Sequence, residues 1–122
     1  ERKDVPDILA ASDIVILPSD TEALPTVLIE AGAAGLPTIA TDVGGCPEVV
    51  LDDETGIIIP LQNPDALARA IRRLLNHPET AQKMGKAAYE RVHALFTLPV
   101  QAAALSTVYQ EIVREDTRQK SM

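Results

Sequence analysis

The sequence predicts an α/β protein in which helices flank a parallel β-sheet. Hydrophobic residues make up 46% of the 122 residues and aromatic residues only 2%. The core must therefore consist of aliphatic side chains, which is typical of parallel sheets covered by helices. Short apolar segments also alternate along the chain with segments of helical periodicity. This order indicates parallel strands joined by right-handed crossovers.

Three apolar segments are predicted to form the strands. Residues 13–19, DIVILPS, are a continuous apolar run that ends at Pro18, and this indicates a strand buried on both faces. Further strands are predicted at Thr38–Thr41 and Gly56–Pro60. Three strands of four or five residues make a thinner sheet than a typical domain of this class carries. We therefore expect the chain to be one part of a longer protein.

Helices are predicted before, between and after the strands. Their expected bounds are Asp7–Ala11, Thr26–Ala34 closed by Gly35, a short helix near Pro47, and three helices that begin at Pro64, Pro78 and Pro99. Asn63 is expected to cap the helix at Pro64, and the polar end REDTRQKSM is expected to fray. The apolar residues expected to face the core of the last three helices are Leu67, Ile71, Leu74, Leu75, Met84, Ala88, Leu95, Val100, Leu105, Val108 and Ile112.

Composition excludes several classes of partner and location. The formal net charge of -7 argues against a nucleic-acid partner and against a broad patch for anionic membranes. No apolar run approaches the roughly 20 residues that span a bilayer. The single cysteine, Cys46, excludes a disulfide within these residues and fits a reducing compartment. We expect a cytoplasmic protein, with peripheral attachment to a membrane left open for the full-length form.

Two carboxylates stand out where the first strand leads into a helix. Glu22 lies in the loop after the strand, and Glu30 lies in the helix that begins near Thr26. Ligands of open parallel sheets bind beyond the carboxyl ends of the strands, and a helix N-terminus there favours a phosphate. Glu30 is one turn of about 5.4 Å along the helix from Thr26, where a carboxylate can accept hydrogen bonds from two ribose hydroxyls. The arrangement allows a nucleotide sugar whose sugar points towards Glu22.

Simpler interpretations stay open on spacing alone. Glu30 can be a solvent-facing acid of its helix, and Glu22 an ordinary loop acid. Residues 42–45, DVGG, fit either a phosphate-binding turn or a plain tight turn. His93 has no second His or Cys at ligand spacing, so the sequence predicts no metal site. Cys46 has no nearby His, and an inert cysteine is the default.

The string from residue 11 to residue 60 resembles the retaining GT-B glycosyltransferases of the large group 1 class, glycosyltransferase family 4. The signature of that class combines two glutamates separated by seven residues, an EA-x-A-x-G-x-P helix end, a T-D-x-G-G-x-x-E loop and a G-x-L-x-P-like strand. All four occur here in order and at the usual spacing. The resemblance extends from about Asp4 to Val113.

The resemblance implies a Rossmann-like domain that binds a nucleotide-sugar donor. It makes Glu22 the catalytic residue, near the hydroxyls of the donor sugar at the reacting end, and it makes Glu30 the ligand of the nucleotide ribose. Backbone amides would bind the rest of the donor, those of Ala23 and Leu24 facing the sugar and those of Thr26 and Val27 facing the diphosphate. Neither a bound metal nor a cofactor is implied.

The resemblance also implies a domain organisation. Residues 1–122 would be a single partial domain, the second half of the C-terminal domain of a GT-B enzyme, and residues 98–122 its C-terminal helix, which crosses back towards an N-terminal domain. The donor would be a UDP-, GDP- or ADP-sugar. A glycan, lipid or small-molecule acceptor would bind the N-terminal domain, in polysaccharide or glycoconjugate biosynthesis. The basic residues for the diphosphate would lie upstream, so the 122 residues are expected to be inactive alone.

Departures from the family pattern and two alternatives accompany this hypothesis; one departure is Leu98, which stands where an aromatic residue is frequent. Gly32 stands where the family commonly has Met, and Leu24 with Pro25 replaces the frequent Phe-Gly. A glycine inside a helix costs about 1 kcal/mol relative to alanine unless close packing needs it. Because a fold does not determine a function, the same domain can also be a non-catalytic module that binds a nucleotide or sugar phosphate. A sugar-nucleotide epimerase on the same scaffold is the other alternative.

Overall fold

The computed structural model describes residues 3–121, except for the side chains at positions 100, 104, 105 and 109. Its centre is a parallel sheet of three strands, β1 (Val15–Leu17), β2 (Thr38–Thr41) and β3 (Gly56–Ile59). The strand order is β1-β2-β3, so that β2 is central. Ile39 lies opposite Ile16 on one side and Ile57 on the other. The predicted α/β fold with a parallel sheet and flanking helices is confirmed.

Six helices surround the sheet in the described part of the chain. In chain order they are α1 (Val5–Ala10), α2 (Thr26–Ala33), α3 (Cys46–Val49), α4 (Pro64–Asn76), α5 (Pro78–Leu95) and α6 (Leu98–Lys120). None of these helices has both the length and the apolar character needed to cross a membrane.

Local sequence signals determine where α2 ends and where α4 begins. Gly35 has a φ of +73°, and the N–H groups of Gly35 and Leu36 donate to the carbonyls of Gly32 and Ala31 at 2.9 and 3.0 Å. This is the left-handed C-terminal cap for which glycine is preferred. At α4, the Asn63 side chain accepts a hydrogen bond from the Ala66 amide at 2.9 Å. Both predicted caps are confirmed.

The core has one layer on each face of the sheet. On one face, α4 and α5 cover the buried residues Ile39, Ile57, Ile59, Ala66, Ala70, Leu74 and Met84. On the other face, α2 and α3 pack on the sheet, and the buried residues of this layer are Leu28, Ala40, Cys46, Val49 and Val50. The central strand β2 contributes to both layers and is buried along its whole length. The sheet is therefore held rigidly at its middle strand.

The prediction that the first strand is buried on both faces is wrong. Ile16 is 38% exposed, and its neighbours Val15 and Leu17 are only half-buried. The physical reason is topological, because β1 pairs with β2 on one side and is the edge of the sheet in the described residues. An apolar run identifies a strand, but the burial of that strand depends on its neighbours.

Four of the predicted core residues in the helices are exposed. Leu75 is 62% exposed, because it lies one position beyond the buried Leu74 and so points about 100° away around α4. Leu95 is 42% exposed in the last turn of α5. Val108 and Ile112 are 50% and 58% exposed, because α6 contacts the other helices mainly at α5. The predictions for residues 100 and 105 fall on side chains outside the described set.

The C-terminal segment is also more regular than expected. Instead of fraying from residue 114, α6 continues to Lys120. The Lys120 ammonium lies 2.6 Å from the Asp116 carboxylate one turn earlier, and the Thr117 hydroxyl donates to the Val113 carbonyl at 2.9 Å. Charged pairs at this spacing stabilise an exposed helix by a few tenths of a kcal/mol each.

Gly32 lies where α2 and α5 approach each other closely. A Cβ atom at this position would lie 2.5 Å from Val92 Cγ2 and 3.3 Å from the Ala88 carbonyl oxygen. Both distances are shorter than a comfortable van der Waals contact, so any larger residue would push the helices apart. Close packing therefore accounts for a glycine inside this helix.

Candidate functional site

The carboxyl ends of the three parallel strands meet at one rim of the sheet. Residues 18–25 form the loop from β1 to α2, and residues 42–45 form the turn from β2 to α3. Because ligands of open parallel sheets bind at this edge, these two connections are the natural place for a site. Both glutamates of the sequence hypothesis belong to the first connection and to the helix that follows it.

The glycine turn packs directly against the loop that carries Glu22. The Gly45 amide donates to the Ala23 carbonyl at 2.7 Å. A Cβ atom on Gly44 would overlap the Glu22 carbonyl, and one on Gly45 would overlap the Ala23 carbonyl. Gly44 also has a φ of +49°, which favours glycine. Both glycines of the DVGG turn are thus needed for backbone-to-backbone packing, which fixes the shape of the neighbouring loop.

Glu22 is half-buried at this rim and makes a defined hydrogen bond. Its Oε1 atom accepts from the Ser19 hydroxyl at 2.8 Å. Ser19 is held in turn, because the buried Thr41 hydroxyl at the end of β2 donates to the Ser19 carbonyl at 2.5 Å. The carboxylate is therefore oriented by the protein and still partly accessible to solvent.

The other predicted site residues lie on the loop and on the first turns of α2. Ala23 and Leu24 are exposed at the tip of the loop, Thr26 is exposed, and Val27 is half-buried. The helix begins at Thr26 after the buried Pro25, and no side chain caps its amino end. The Leu28 amide donates to the Pro25 carbonyl at 3.1 Å. The amides of Thr26 and Val27 precede it and are available, because the first amides of a helix have no partner within it.

Glu30 is exposed on the same helix, whose buried face consists of Leu28, Ala31 and Gly32. Exposure agrees both with a solvent-facing acid and with a carboxylate that receives a ligand from the rim. The structure thus places Glu22 and Glu30 on one continuous segment, with Glu22 in the loop and Glu30 one turn into the helix.

Sequence comparison identifies the family of the chain. A profile of the family described as "Glycosyl transferases group 1" matches residues 1–91. The chain belongs to the group 1 glycosyl transferases. D-inositol 3-phosphate glycosyltransferase from Corynebacterium diphtheriae is 38% identical over 112 residues, which are 92% of this chain and 26% of that protein. The resemblance expected from the sequence motifs is confirmed at the level of the family.

Solved structures agree with this assignment. Sucrose-phosphate synthase from Thermosynechococcus elongatus superposes with a TM-score of 0.82 at 38% identity, over 88% of this chain and 27% of that one. The Anabaena protein Alr3699/HepE, solved in complex with UDP-glucose, has the same fold with a TM-score of 0.82 at 23% identity, over 89% of this chain and 30% of that one. This group 1 glycosyl transferase chain spans between a quarter and a third of the length of the curated relatives it matches.

The thiol of Cys46 lies behind the rim of this group 1 glycosyl transferase. Cys46 is the first residue of α3 and is fully buried. Burial raises the pKa of the thiol above its ordinary value of 9.0, and the negative charges of Glu22 and Asp42 raise it further. The thiol is therefore protonated at neutral pH, which agrees with an inert cysteine rather than a nucleophile.

Sequence reasoning missed three residues that hold the loop at Glu22 and the short helix α3. Ser19 and Thr41 orient Glu22 as described above. The guanidinium of Arg91, on α5, donates to the carbonyls of Glu48 and Val49 at 2.5 and 3.3 Å. These carbonyls end α3, where a cation is favoured by the helix dipole. The bond between Arg91 and Glu48 joins residues 43 positions apart, so no local pattern signals it.

The described residues form cavities near these elements and no group of side chains that could bind a metal ion. A cavity of about 270 Å³ opens at the rim beside Pro18, Thr41 and Pro60. A larger recess of about 570 Å³ lies between α4 and α5, and it contains none of the predicted site residues. Within residues 3–121, no three His, Cys, Asp or Glu side chains are grouped so that they could hold a metal ion.

Proposed function

We propose that this chain binds the nucleotide-sugar donor of a retaining glycosyltransferase at this rim, along the segment of residues 18–30. The observation that carries the proposal is that a helix N-terminus and an oriented carboxylate lie next to each other at this rim. An uncapped helix N-terminus at Thr26 follows directly on a loop in which the Glu22 carboxylate is held half-buried by Ser19. The helix N-terminus suits a diphosphate, and the Glu22 carboxylate suits the hydroxyls of a sugar.

Each part of a donor has a counterpart along this segment. The amides of Thr26 and Val27 receive the diphosphate, because a helix N-terminus carries roughly half a positive charge. Glu30, exposed one turn further on, accepts hydrogen bonds from the ribose hydroxyls. The amides of Ala23 and Leu24 face the sugar. A fold neighbour that was solved with UDP-glucose supports a donor of this chemical class.

The proposed reaction is glycosyl transfer with departure of a nucleoside diphosphate and retention of configuration. Glu22 lies at the sugar end, where positive charge develops on the ring as the glycosidic bond breaks. A carboxylate fixed in advance at that point stabilises the transition state electrostatically. The remaining contribution is positioning of the two substrates, which converts a bimolecular step into an effectively unimolecular one.

The proposal includes a place for the chain in a longer enzyme. Residues 1–122 form the second half of its C-terminal, donor-binding domain, and residues 98–122 are the helix that reaches an acceptor-binding N-terminal domain. Support comes from α6, whose apolar residues Leu98, Val108, Ile112 and Val113 are exposed. The acceptor is a glycan, a lipid or a small molecule, and the enzyme works in the cytoplasm.

Thermal-shift screening of the full-length protein against UDP-, GDP- and ADP-sugars tests the proposal. A ligand that binds only the folded protein stabilises it by about 2.7 kcal/mol at one hundred times its Kd. We expect one nucleotide class to raise the Tm of the wild type, and a smaller rise in the Glu30→Ala variant. The exposed α5 residue Glu90 provides a control variant, Glu90→Ala, that should respond like the wild type. Failure of all three classes to raise the Tm contradicts the proposed donor.

A further inference from the structure

We propose that Ser19 is a positioning residue for glycosyl transfer, and that it holds the Glu22 carboxylate in a productive orientation while Thr41 anchors Ser19 to the sheet. This inference rests on the proposed function, since it assumes that Glu22 faces the donor sugar. It gives the hydroxyls of Ser19 and Thr41 a role in turnover that the proposed function does not assign to them.

The contact between Ser19 and Glu22 has the geometry of a strong hydrogen bond. The Ser19 hydroxyl donates to Glu22 Oε1 at 2.8 Å, and both residues are half-buried. A hydrogen bond to an ionised acceptor is roughly twice as strong as one between neutral groups. Partial burial also protects it from competition by water. The bond joins residues three positions apart in one loop, so it fixes the side chain relative to its own backbone.

Thr41 connects this loop to the most rigid part of the fold. It is the last residue of the central strand β2 and is buried. Its hydroxyl donates to the Ser19 carbonyl at 2.5 Å. Because β2 is paired with strands on both sides, the position of Thr41 is determined by the sheet. Two successive hydrogen bonds thus extend from the end of the central strand to the carboxylate at the rim.

The backbone of the loop is held by separate contacts. Gly45 binds the Ala23 carbonyl at 2.7 Å, and Gly44 packs directly on the Glu22 carbonyl. These contacts fix the main chain at Glu22, but the flexible side chain needs a restraint of its own. Ser19 occupies Oε1, and a carboxylate has about four lone-pair sites. Acceptor capacity therefore remains for the hydroxyls of a donor sugar.

The expected consequence of removing the Ser19 hydroxyl is a loss of turnover without a loss of nucleotide binding. Ser19→Ala leaves the carboxylate in place but free to rotate, so that its contact with the transition state weakens. The kcat of the full-length enzyme should fall roughly tenfold to a hundredfold, as for the loss of one hydrogen bond to a charged group. Affinity for the nucleoside diphosphate should not change, because the diphosphate lacks the sugar. Ser19→Thr keeps the hydroxyl and should recover most of the rate.

Thr41 offers a matched pair of variants on one strand. Thr41→Val removes the donor to Ser19 with little change in volume, and we expect it to lower kcat while Thr41→Ser preserves it. Thr38 is the other buried threonine of β2, and its hydroxyl has no hydrogen-bond partner in the described part of the chain. Thr38→Val should therefore leave kcat unchanged. Equal losses in Thr41→Val and Thr38→Val would show a general effect on the sheet and would overturn the role of Thr41.

A double-mutant cycle with Ser19→Ala and Glu22→Gln, measured by steady-state kinetics, tests the inference. If Ser19 acts through Glu22, adding Ser19→Ala to Glu22→Gln should cost far less than its effect alone. If Glu22→Gln lowers kcat but Ser19→Ala does not, or if the two losses multiply, the positioning role is wrong and the proposed function stands. If Glu22→Gln itself leaves kcat unchanged, the proposed role of Glu22 fails, and the role of Ser19 fails with it.

Discussion

Replacing Gly32 by alanine should destabilise the protein, although alanine is the better helix former. In an unconstrained helix the substitution would stabilise by about 1 kcal/mol. Here the new methyl group would lie 2.5 Å from Val92 Cγ2 and 3.3 Å from the Ala88 carbonyl oxygen. Overpacking of this kind costs about 1–3 kcal/mol, and the backbone carbonyl cannot turn away. We expect a net loss of about 1 kcal/mol, which lowers the Tm by roughly 3–6 °C for a domain of this size.

Urea denaturation of three variants and their combination measures this effect. Val92→Ala removes the methyl group that Gly32→Ala would meet, so the double variant should be more stable than the sum of the single effects predicts. The coupling should be on the order of 1 kcal/mol. Ala33 is exposed on the same helix, and Ala33→Gly therefore reports the propensity difference without the contact. If Gly32→Ala stabilises by as much as Ala33→Gly destabilises, α2 and α5 are not in close contact at this point and the reasoning fails.

Three further predictions concern Cys46, metal ions and the isolated chain. The pKa of the Cys46 thiol is raised in the folded protein, so the thiol ionises at a lower pH in the unfolded chain than in the folded one. The free energy of unfolding should therefore fall as the pH rises above about 9, the ordinary pKa of the thiol. A pH series of urea melts should show a shallower fall for Cys46→Ala, and an equal fall in both proteins contradicts the assignment. Activity of the full-length enzyme should survive EDTA, since the family resemblance implies no bound metal; loss on chelation with recovery on adding a divalent ion counts against this. The 122 residues alone should transfer no sugar, because the family resemblance places the basic residues for the diphosphate and the acceptor-binding domain upstream of them; turnover by the purified chain refutes this.

The features of the fold that local signals determine were predictable from the sequence. Asn63 before Pro64 defines the start of α4, and Gly35 before Pro37 defines the end of α2, because each acts within a few residues of its position. The three strands were found from apolar runs between turn residues. The burial of side chains was less predictable, because the spacing of apolar residues shows which face of a helix is apolar but not which neighbouring elements pack on that face. Leu75 and Ile112 show this, since each lies on an apolar pattern that no described neighbour fully covers.

The candidate site was also predictable only in part, namely in the features that belong to one short segment of the sequence. The spacing of Glu22 and Glu30 is a property of one short segment, so the sequence alone placed Glu22 in the loop after β1 and Glu30 in the helix that follows. Their roles come from family resemblance and stay predictions. The supporting contacts join distant parts of the chain, such as Thr41 with Ser19 across 22 positions and Gly45 with Ala23. Contacts of this kind exist only after the strands have paired, so no local pattern reveals them.

Calorimetric titration of the nucleoside diphosphate into the full-length enzyme tests most directly whether this rim binds the donor as proposed. Glu30→Ala should weaken binding by about 1.5–3 kcal/mol, or roughly tenfold to a hundredfold, because two ribose hydroxyls lose a charged acceptor. Glu22→Ala should leave this affinity unchanged and lower kcat, since its contact with the sugar tightens only as the glycosidic bond breaks. If Glu22→Ala abolishes diphosphate binding while Glu30→Ala leaves it intact, the roles of the two acids are reversed. If neither variant changes binding or rate, the donor does not bind at this rim.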